Sequence, residues 1–169
     1  GQTFSGAMCI DGLAPTDGTW NFCMSELYEA NAWLSIQIPH GSTVTSVDVY
    51  NRYDCCQRFL DSFQVWVGDS AGYPSSTVGM VECGNAVASA TDAAPFTVTC
   101  DAPLRGSVVT LLLPGTNRLL ALAEVTTFGS AGAASPSPPH SPPPGGPSPP
   151  PPGSCSCGCQ HDGGHWVIS

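Results

Sequence analysis

Residues 43–60 read TVTSVDVYNRYDCCQRFL, a β-branched stretch that runs directly into two adjacent cysteines. Within it, Val47 and Val49 alternate with polar residues, the period of two that is typical of a strand with one face on a core. Five further stretches are also predicted strands: residues 33–38, 62–67, 96–100, 108–113 and 119–128. Many short strands separated by turns, with no amphipathic helix of three turns, predict an all-β sandwich or jelly roll.

Composition narrows the class of protein. The chain has 169 residues and a formal net charge of -9, with 4 basic and 13 acidic residues. Phosphate backbones and anionic lipid repel such a chain, so nucleic-acid binding and membrane-surface roles are disfavoured. No stretch approaches the ~20 apolar residues of a membrane-spanning helix. Nine cysteines favour an oxidising compartment, and the start at Gly1-Gln2-Thr3 is what signal-peptide removal leaves. We therefore expect an extracellular protein of a cell wall, cell surface or flagellar surface.

Residues 130–153 differ from the preceding module, residues 1–129. Eleven of the 17 prolines lie between Pro136 and Pro152. Because proline fixes φ and lacks an amide donor, this segment predicts a polyproline II stalk with ~3.1 Å per residue. The stalk is either a passive spacer or a scaffold for hydroxylation and O-glycosylation. Its Ser-(Pro)n runs resemble the hydroxyproline-rich stalks of volvocine green-algal wall and flagellar glycoproteins.

Residues 154–169 form a Cys-rich tail. Its cysteines occupy every second position: Cys155, Cys157 and Cys159. With the two histidines that follow, this spacing is compatible with a soft metal, whereas an oxidising compartment favours disulfides. Three thiols are an odd set, which predicts that at least one is free or pairs with another chain. The apolar Trp166-Val167-Ile168 predicts a strand that joins a sheet edge, in its own module or in a neighbour's.

The segment Arg52-Tyr53-Asp54-Cys55-Cys56 resembles the fucolectin (F-type lectin) family of discoidin-like, galactose-binding sandwiches, in which adjacent cysteines follow a strand and an Arg-x-Asp. Three other segments are similar to segments of that family: residues 9–12, 31–36 and 112–125. The similarity extends from about residue 4 to residue 129. It implies a discoidin-like jelly-roll β-sandwich for the first module.

The resemblance also implies a sugar site. The family holds fucose with a histidine and two arginines around a vicinal disulfide that packs on the sugar. Arg52 and the Cys55–Cys56 pair match this pattern. Ser25 stands at the histidine position and Phe59 at that of the second arginine, while Arg58 is one residue away, which in a strand is the opposite face. With two polar anchors replaced, we expect weak affinity for fucose.

Three disulfides are implied by the same resemblance. Cys55–Cys56 and Cys83–Cys100 correspond to disulfide pairs of the family. The position of Cys23 pairs in the family with a cysteine where this chain has Ala123, so Cys9 is the natural partner instead.

The resemblance also implies a calcium site, but only some of its ligand residues are present. Asp11 and Glu124 stand at ligand positions of the family, whereas Met8 and Leu13 replace asparagines there. Because Ca²⁺ takes six to eight oxygens, backbone carbonyls or a rearranged set of side chains would have to supply the remainder.

No enzyme activity is predicted. Residues 68–72, GDSAG, resemble a serine-hydrolase motif, but His40 is the only histidine in residues 1–129. A serine nucleophile needs a base within hydrogen-bond reach. No carboxylate pair for glycoside hydrolysis stands out either.

Two functions follow. The first is a structural or adhesive subunit of an extracellular matrix, fibre or appendage, which associates with copies of itself or with other extracellular glycoproteins. Its assembly would use the sandwich, an O-glycosylated stalk and these tail residues: Cys155, Cys157, Cys159, Trp166, Val167 and Ile168. The alternative is a carbohydrate-binding lectin module of fucose-like or altered specificity, whose glycan ligand would contact these residues: Arg52, Cys55, Cys56 and Arg58.

Overall fold

The computed structural model describes residues 6–13, 22–25, 29–91 and 95–132, and the backbone of residues 159–162 and 165–168. These residues contain nine strands: β1 (Cys23–Met24), β2 (Ala32–Tyr50), β3 (Gln64–Gly68), β4 (Val81–Glu82), β5 (Pro95–Leu113), β6 (Ala121–Leu122), β7 (Glu124–Ser130), β8 (Cys159–Asp162) and β9 (His165–Ile168). They also contain three short 3-10 helices: Gly6–Cys9, Gln57–Leu60 and Pro74–Ser76. Within this part of the chain, no helix has the length and apolar composition needed to cross a membrane.

Two long strands, β2 and β5, form the middle of the larger sheet. They pair antiparallel, and the sheet has the order β4-β3-β5-β2-β9-β8, with β7 also paired to β2. β1 and β6 form a separate two-stranded sheet. The all-β sandwich predicted from strand alternation is therefore confirmed.

Each long strand joins two stretches that were predicted as separate strands. β2 passes through Pro39-His40-Gly41 without leaving the sheet, and its pairing with β5 changes register between Gln37 and Ser42. Between these two points β2 has four residues, 38–41, where β5 has one, so the extra residues form an irregularity inside β2. The two predicted strands on either side of Pro39-His40-Gly41 are thus one long strand.

The alternating positions of the strands make up the core. Val47 and Val49 of β2, and Val65 and Val67 of β3, are each at most 1% exposed. All of residues 108–113 are buried, as expected for an apolar run covered on both faces.

The predicted strand 119–128 is interrupted at Ala123. This residue is fully buried and its N–H donates to the Tyr50 carbonyl (2.8 Å). As a result, β6 pairs with β1 while β7 pairs with β2. The break lets one chain segment contribute to both sheets.

The three expected disulfides are all present: Cys9–Cys23, Cys55–Cys56 and Cys83–Cys100. The first joins helix Gly6–Cys9 to β1, and its Cys9 sulfur lies 3.6 Å from the Leu122 carbonyl oxygen. Both of its cysteines are buried.

The tail contributes a β-hairpin. β8 and β9 pair antiparallel, and β9 lies parallel to residues 34–36 of β2. The strand expected at Trp166-Val167-Ile168 is therefore formed, and it lies on the edge of its own module. β7 ends at Ser130 and the Gly132 N–H donates to the Ser42 hydroxyl, so the module extends past the expected boundary at residue 129. Residues 133–158, with the remainder of the predicted stalk and with Cys155 and Cys157, lie outside the described residues.

Candidate glycan-binding site

The candidate site lies on the loop that follows β2, and a buried asparagine organises that loop. The Asn51 side chain donates to the carbonyls of Gln57 (2.9 Å) and Ala90 (3.0 Å), and its oxygen accepts from the Arg52 N–H (2.8 Å). The Gln57 side chain closes the loop by donating to the Arg52 carbonyl (3.2 Å). Three of these bonds join residues of the loop to each other and the fourth joins the loop to Ala90, so together they stabilise the loop in this shape.

Arg52 forms an ion pair inside this loop, and the residue is only 7% exposed. Its Nε and Nη2 donate to the two carboxylate oxygens of Asp54, at 3.0 and 2.7 Å. Its guanidinium carbon lies 3.9 Å from the centre of the Phe22 ring, within the range of a cation–π contact. The hydrogen bond from Arg52 lowers the pKa of Asp54, so the pair stays ionised near neutral pH.

The vicinal disulfide is exposed beside this ion pair. Cys56 adopts the left-handed conformation, with φ 64° and ψ 27°, and starts the 3-10 helix Gln57–Leu60. The Nη2 of Arg52 lies 3.6 Å from the Cys55 sulfur. Tyr53 and Phe59 lie close to the disulfide along the chain and are 48% and 40% exposed. The loop thus presents a sulfur surface and aromatic rings to solvent, which suits the apolar face of a sugar.

The expectation that Arg58 and Phe59 point to opposite faces is wrong, because both belong to a 3-10 helix rather than a strand. Both line one open groove with a volume of about 220 Å³, together with Asp61, Asn117, Arg118 and Leu119. This volume is below the ~300–1,000 Å³ of sites for drug-sized ligands.

Sequence reasoning missed Arg118 as a member of the groove. Its Nη2 donates to the Asp61 backbone carbonyl, which fixes the side chain across the loop. The Asp61 carboxylate accepts instead from the Ala90 N–H (2.6 Å). Arg118 lies far along the chain from Arg58, and the only signal was its position inside the family-like segment 112–125.

Ser25, at the family's histidine position, is a structural residue here. It is 4% exposed, its N–H donates to the Leu120 carbonyl (2.8 Å), and its hydroxyl accepts from the Leu120 N–H (3.2 Å). The serine therefore bonds the backbone near β6, and its hydroxyl is turned to the protein interior.

Asp11 and Glu124 do come together, as the calcium positions required. Glu124 is buried, and its Oε2 accepts from the Gly12 N–H (3.1 Å), while an Asp11 oxygen accepts from the Leu13 N–H (2.9 Å). Burial, with a smaller contribution from the Asp11 charge and hydrogen bond, raises the pKa of Glu124 to about 7.

The described residues alone do not complete a calcium site. In the part of the chain that the structure describes, no three residues of the types His, Cys, Asp and Glu converge. Two carboxylates fall short of the six to eight oxygens that Ca²⁺ takes. Calcium at Asp11 and Glu124 stays a prediction.

The buried carboxyl group predicts a pH dependence of stability. The pKa of Glu124 is about 7 in the folded protein and near 4.3 when unfolded, so the folded state binds the proton more tightly. The stabilisation is complete below the unfolded value and is lost as pH rises through 7. We expect the free energy of unfolding to fall by about 2 kcal/mol between pH 5 and pH 8.

Denaturant unfolding at a series of pH values measures this fall. Glu124→Gln should flatten the curve, since it keeps the shape and removes the titration. An unaltered slope in that variant would assign the effect to another group. Repeating the series with calcium chloride tests the metal prediction, because a bound cation favours the charged carboxylates and removes the dependence.

Comparison with known proteins agrees with this architecture. The family model described as NedA-like, galactose-binding domain matches residues 14–111. Fucolectin of Anguilla anguilla is 30% identical over 116 residues, covering 69% of this chain and 71% of the eel protein. Fucolectin-1 of Anguilla japonica is 30% identical over 122 residues, and this chain spans 63% of its length.

A solved structure shows the same fold. The lectin domain of Lectinolysin complexed with Lewis B antigen is 25% identical, with a TM-score of 0.60, and the match covers 75% of this chain and 85% of that domain. The chain belongs to the fucolectin family of NedA-like, galactose-binding β-sandwich domains.

Proposed function

We propose that this chain is a carbohydrate-binding module that holds a sugar against the sulfurs of Cys55 and Cys56. The exposed vicinal disulfide, fixed next to the Arg52–Asp54 ion pair, is the observation that carries the proposal. A rigid apolar platform beside a guanidinium is well suited to a sugar, which has one apolar face and a rim of hydroxyls. The relatives are named as fucolectins, and one related lectin domain was solved with Lewis B antigen.

The sugar preference is proposed to differ from that of a fucose lectin. Ser25 is bonded to the backbone, and Phe59 offers a ring where an arginine fork was expected. Arg58 lies in the same groove as Phe59 and is exposed. In this proposal Phe59 packs on the sugar while Arg58 donates to neighbouring hydroxyl oxygens, a geometry that guanidinium favours.

Arg58→Ala is expected to weaken glycan binding about tenfold, the loss of about 1.4 kcal/mol that one charge-assisted hydrogen bond provides. The full chain is first tested on a glycan array, and the best sugar is then titrated by calorimetry. Arg105→Ala is the matched control, since Arg105 is also exposed but lies on β5.

If the folded full chain binds no glycan on the array, the lectin proposal is wrong. Equal affinities for Arg58→Ala and Arg105→Ala would leave a sugar site but remove Arg58 from it.

A structural or adhesive role in an extracellular assembly is the second candidate. The hairpin β8–β9 on the edge of β2 favours it, because an added strand is a common means of joining modules. The three disulfides favour an extracellular setting. In this candidate the proline-rich residues 133–153 carry O-glycans and space the modules.

A further inference from the structure

Two strands, β7 and β9, pair with different parts of the β2 edge that faces away from β5. β7 pairs with residues 43–50 of β2 and leaves residues 34–36 to β9. The backbone groups of residues 34–36 that face away from β5 therefore depend on β9 for their pairing. A sheet edge of this kind readily accepts a strand from any chain that presents one.

The hairpin has few attachments to the module that it covers. β9 contributes three register pairs to β2 and also contacts the helix Gly6–Cys9, and β8 pairs with β9, in the described residues. Such a small contact opens at low free-energy cost compared with the core strands. The hairpin can therefore leave one edge and occupy another without unfolding the sandwich.

The connection to the hairpin is longer than its own edge requires. The described module ends at Gly132, whose N–H donates to the Ser42 hydroxyl (3.2 Å). From there to residues 34–36 is a span of roughly 20 Å along β2. Residues 136–152, as predicted polyproline II, have a length of about 50 Å. A connection whose predicted length exceeds the span on its own module also reaches the same edge of a second copy.

We propose that β8–β9 of one copy pairs with residues 34–36 of a second copy, so that the chain assembles by strand exchange. The register observed within one chain, with Leu34 opposite Trp166 and Ile36 opposite Ile168, is then the register between copies. This inference deepens the assembly candidate and is independent of the sugar site, so its failure leaves the glycan proposal unaffected.

The test measures the mass of the full chain by light scattering across a wide range of concentration. Cys155, Cys157 and Cys159 are replaced with serine to remove covalent pairing. We expect the mass to rise with concentration from 17.4 kDa to at least twice that value. Val167→Pro removes an amide donor in the middle of β9 and should keep the chain monomeric. Ser148→Pro is the matched control, since it adds a proline to a proline-rich segment, and should assemble normally.

A monomer at every concentration would overturn the proposal, as would Val167→Pro assembling like the control. A second test does not depend on any proline variant: chains that carry two different isotope labels are mixed at high concentration, and NMR contacts between residues 34–36 and β9 are measured. Contacts between differently labelled chains support exchange between copies. Contacts found only within one chain mean that the strand stays on its own module.

Discussion

Arg52→Ala is expected to abolish measurable glycan binding and to lower the free energy of unfolding by about 3 kcal/mol. The side chains of Arg52 and Asp54 are only 8% and 14% exposed, so alanine leaves a mostly buried carboxylate without its partner. The Phe22 ring also loses the guanidinium that lies 3.9 Å from its centre. A surface ion pair would contribute far less, because solvent screens it.

Stability and binding are separated by conservative variants. Arg52→Lys keeps the positive charge but loses the two parallel bonds to Asp54, so we expect an intermediate loss of stability. Asp54→Asn combined with each Arg52 variant gives the coupling energy by a double-mutant cycle. Binding is compared at a temperature at which circular dichroism shows every variant folded. An Arg52→Ala protein as stable as the parent would contradict the structural role of this ion pair.

The fold was predictable where local pattern decides it. Alternation of apolar residues located the segments that form β2, β3 and β5, because a half-buried strand must have a period of two. The two-residue strands β1 and β4 are too short to show such a pattern. The family resemblance implied the three disulfides, and each is present in the structure. The joining of two predicted strands into β2 across Pro39-His40-Gly41 was not predictable, since turns and irregularities inside strands use the same residue types and tertiary pairing decides between them.

The site was predictable only in part, because it joins residues that are distant in sequence. Arg58 lines the same groove as Phe59 because residues 57–60 form a 3-10 helix, whereas a strand would place the two side chains on opposite faces. Arg118 enters the groove through a bond to the Asp61 carbonyl, which no local pattern indicates. The turn of the Ser25 hydroxyl toward the Leu120 N–H likewise depends on a long-range contact.

Removing the vicinal disulfide should lower glycan affinity and change stability little. Removing the Cys9–Cys23 disulfide should lower stability and leave glycan affinity unchanged. Replacing Cys55 and Cys56 with alanine deletes the exposed sulfur platform, so we expect glycan affinity to fall at least about tenfold, the equivalent of 1.4 kcal/mol. Stability should change little, because adjacent cysteines close almost no loop in the unfolded chain. Calorimetric titration and thermal unfolding measure the two effects on the same samples.

The matched control replaces Cys9 and Cys23 with alanine. This bridge has a sequence separation of 14, so its loss should lower the free energy of unfolding by about 3 kcal/mol. It is buried and is not among the residues of the proposed platform, so glycan affinity of the folded fraction should stay unchanged. If both double variants lose stability and neither loses affinity, the sulfurs of Cys55 and Cys56 serve the loop rather than the sugar. If only the Cys55–Cys56 variant loses affinity, the exposed disulfide is part of the binding surface, because stability alone cannot produce that pattern.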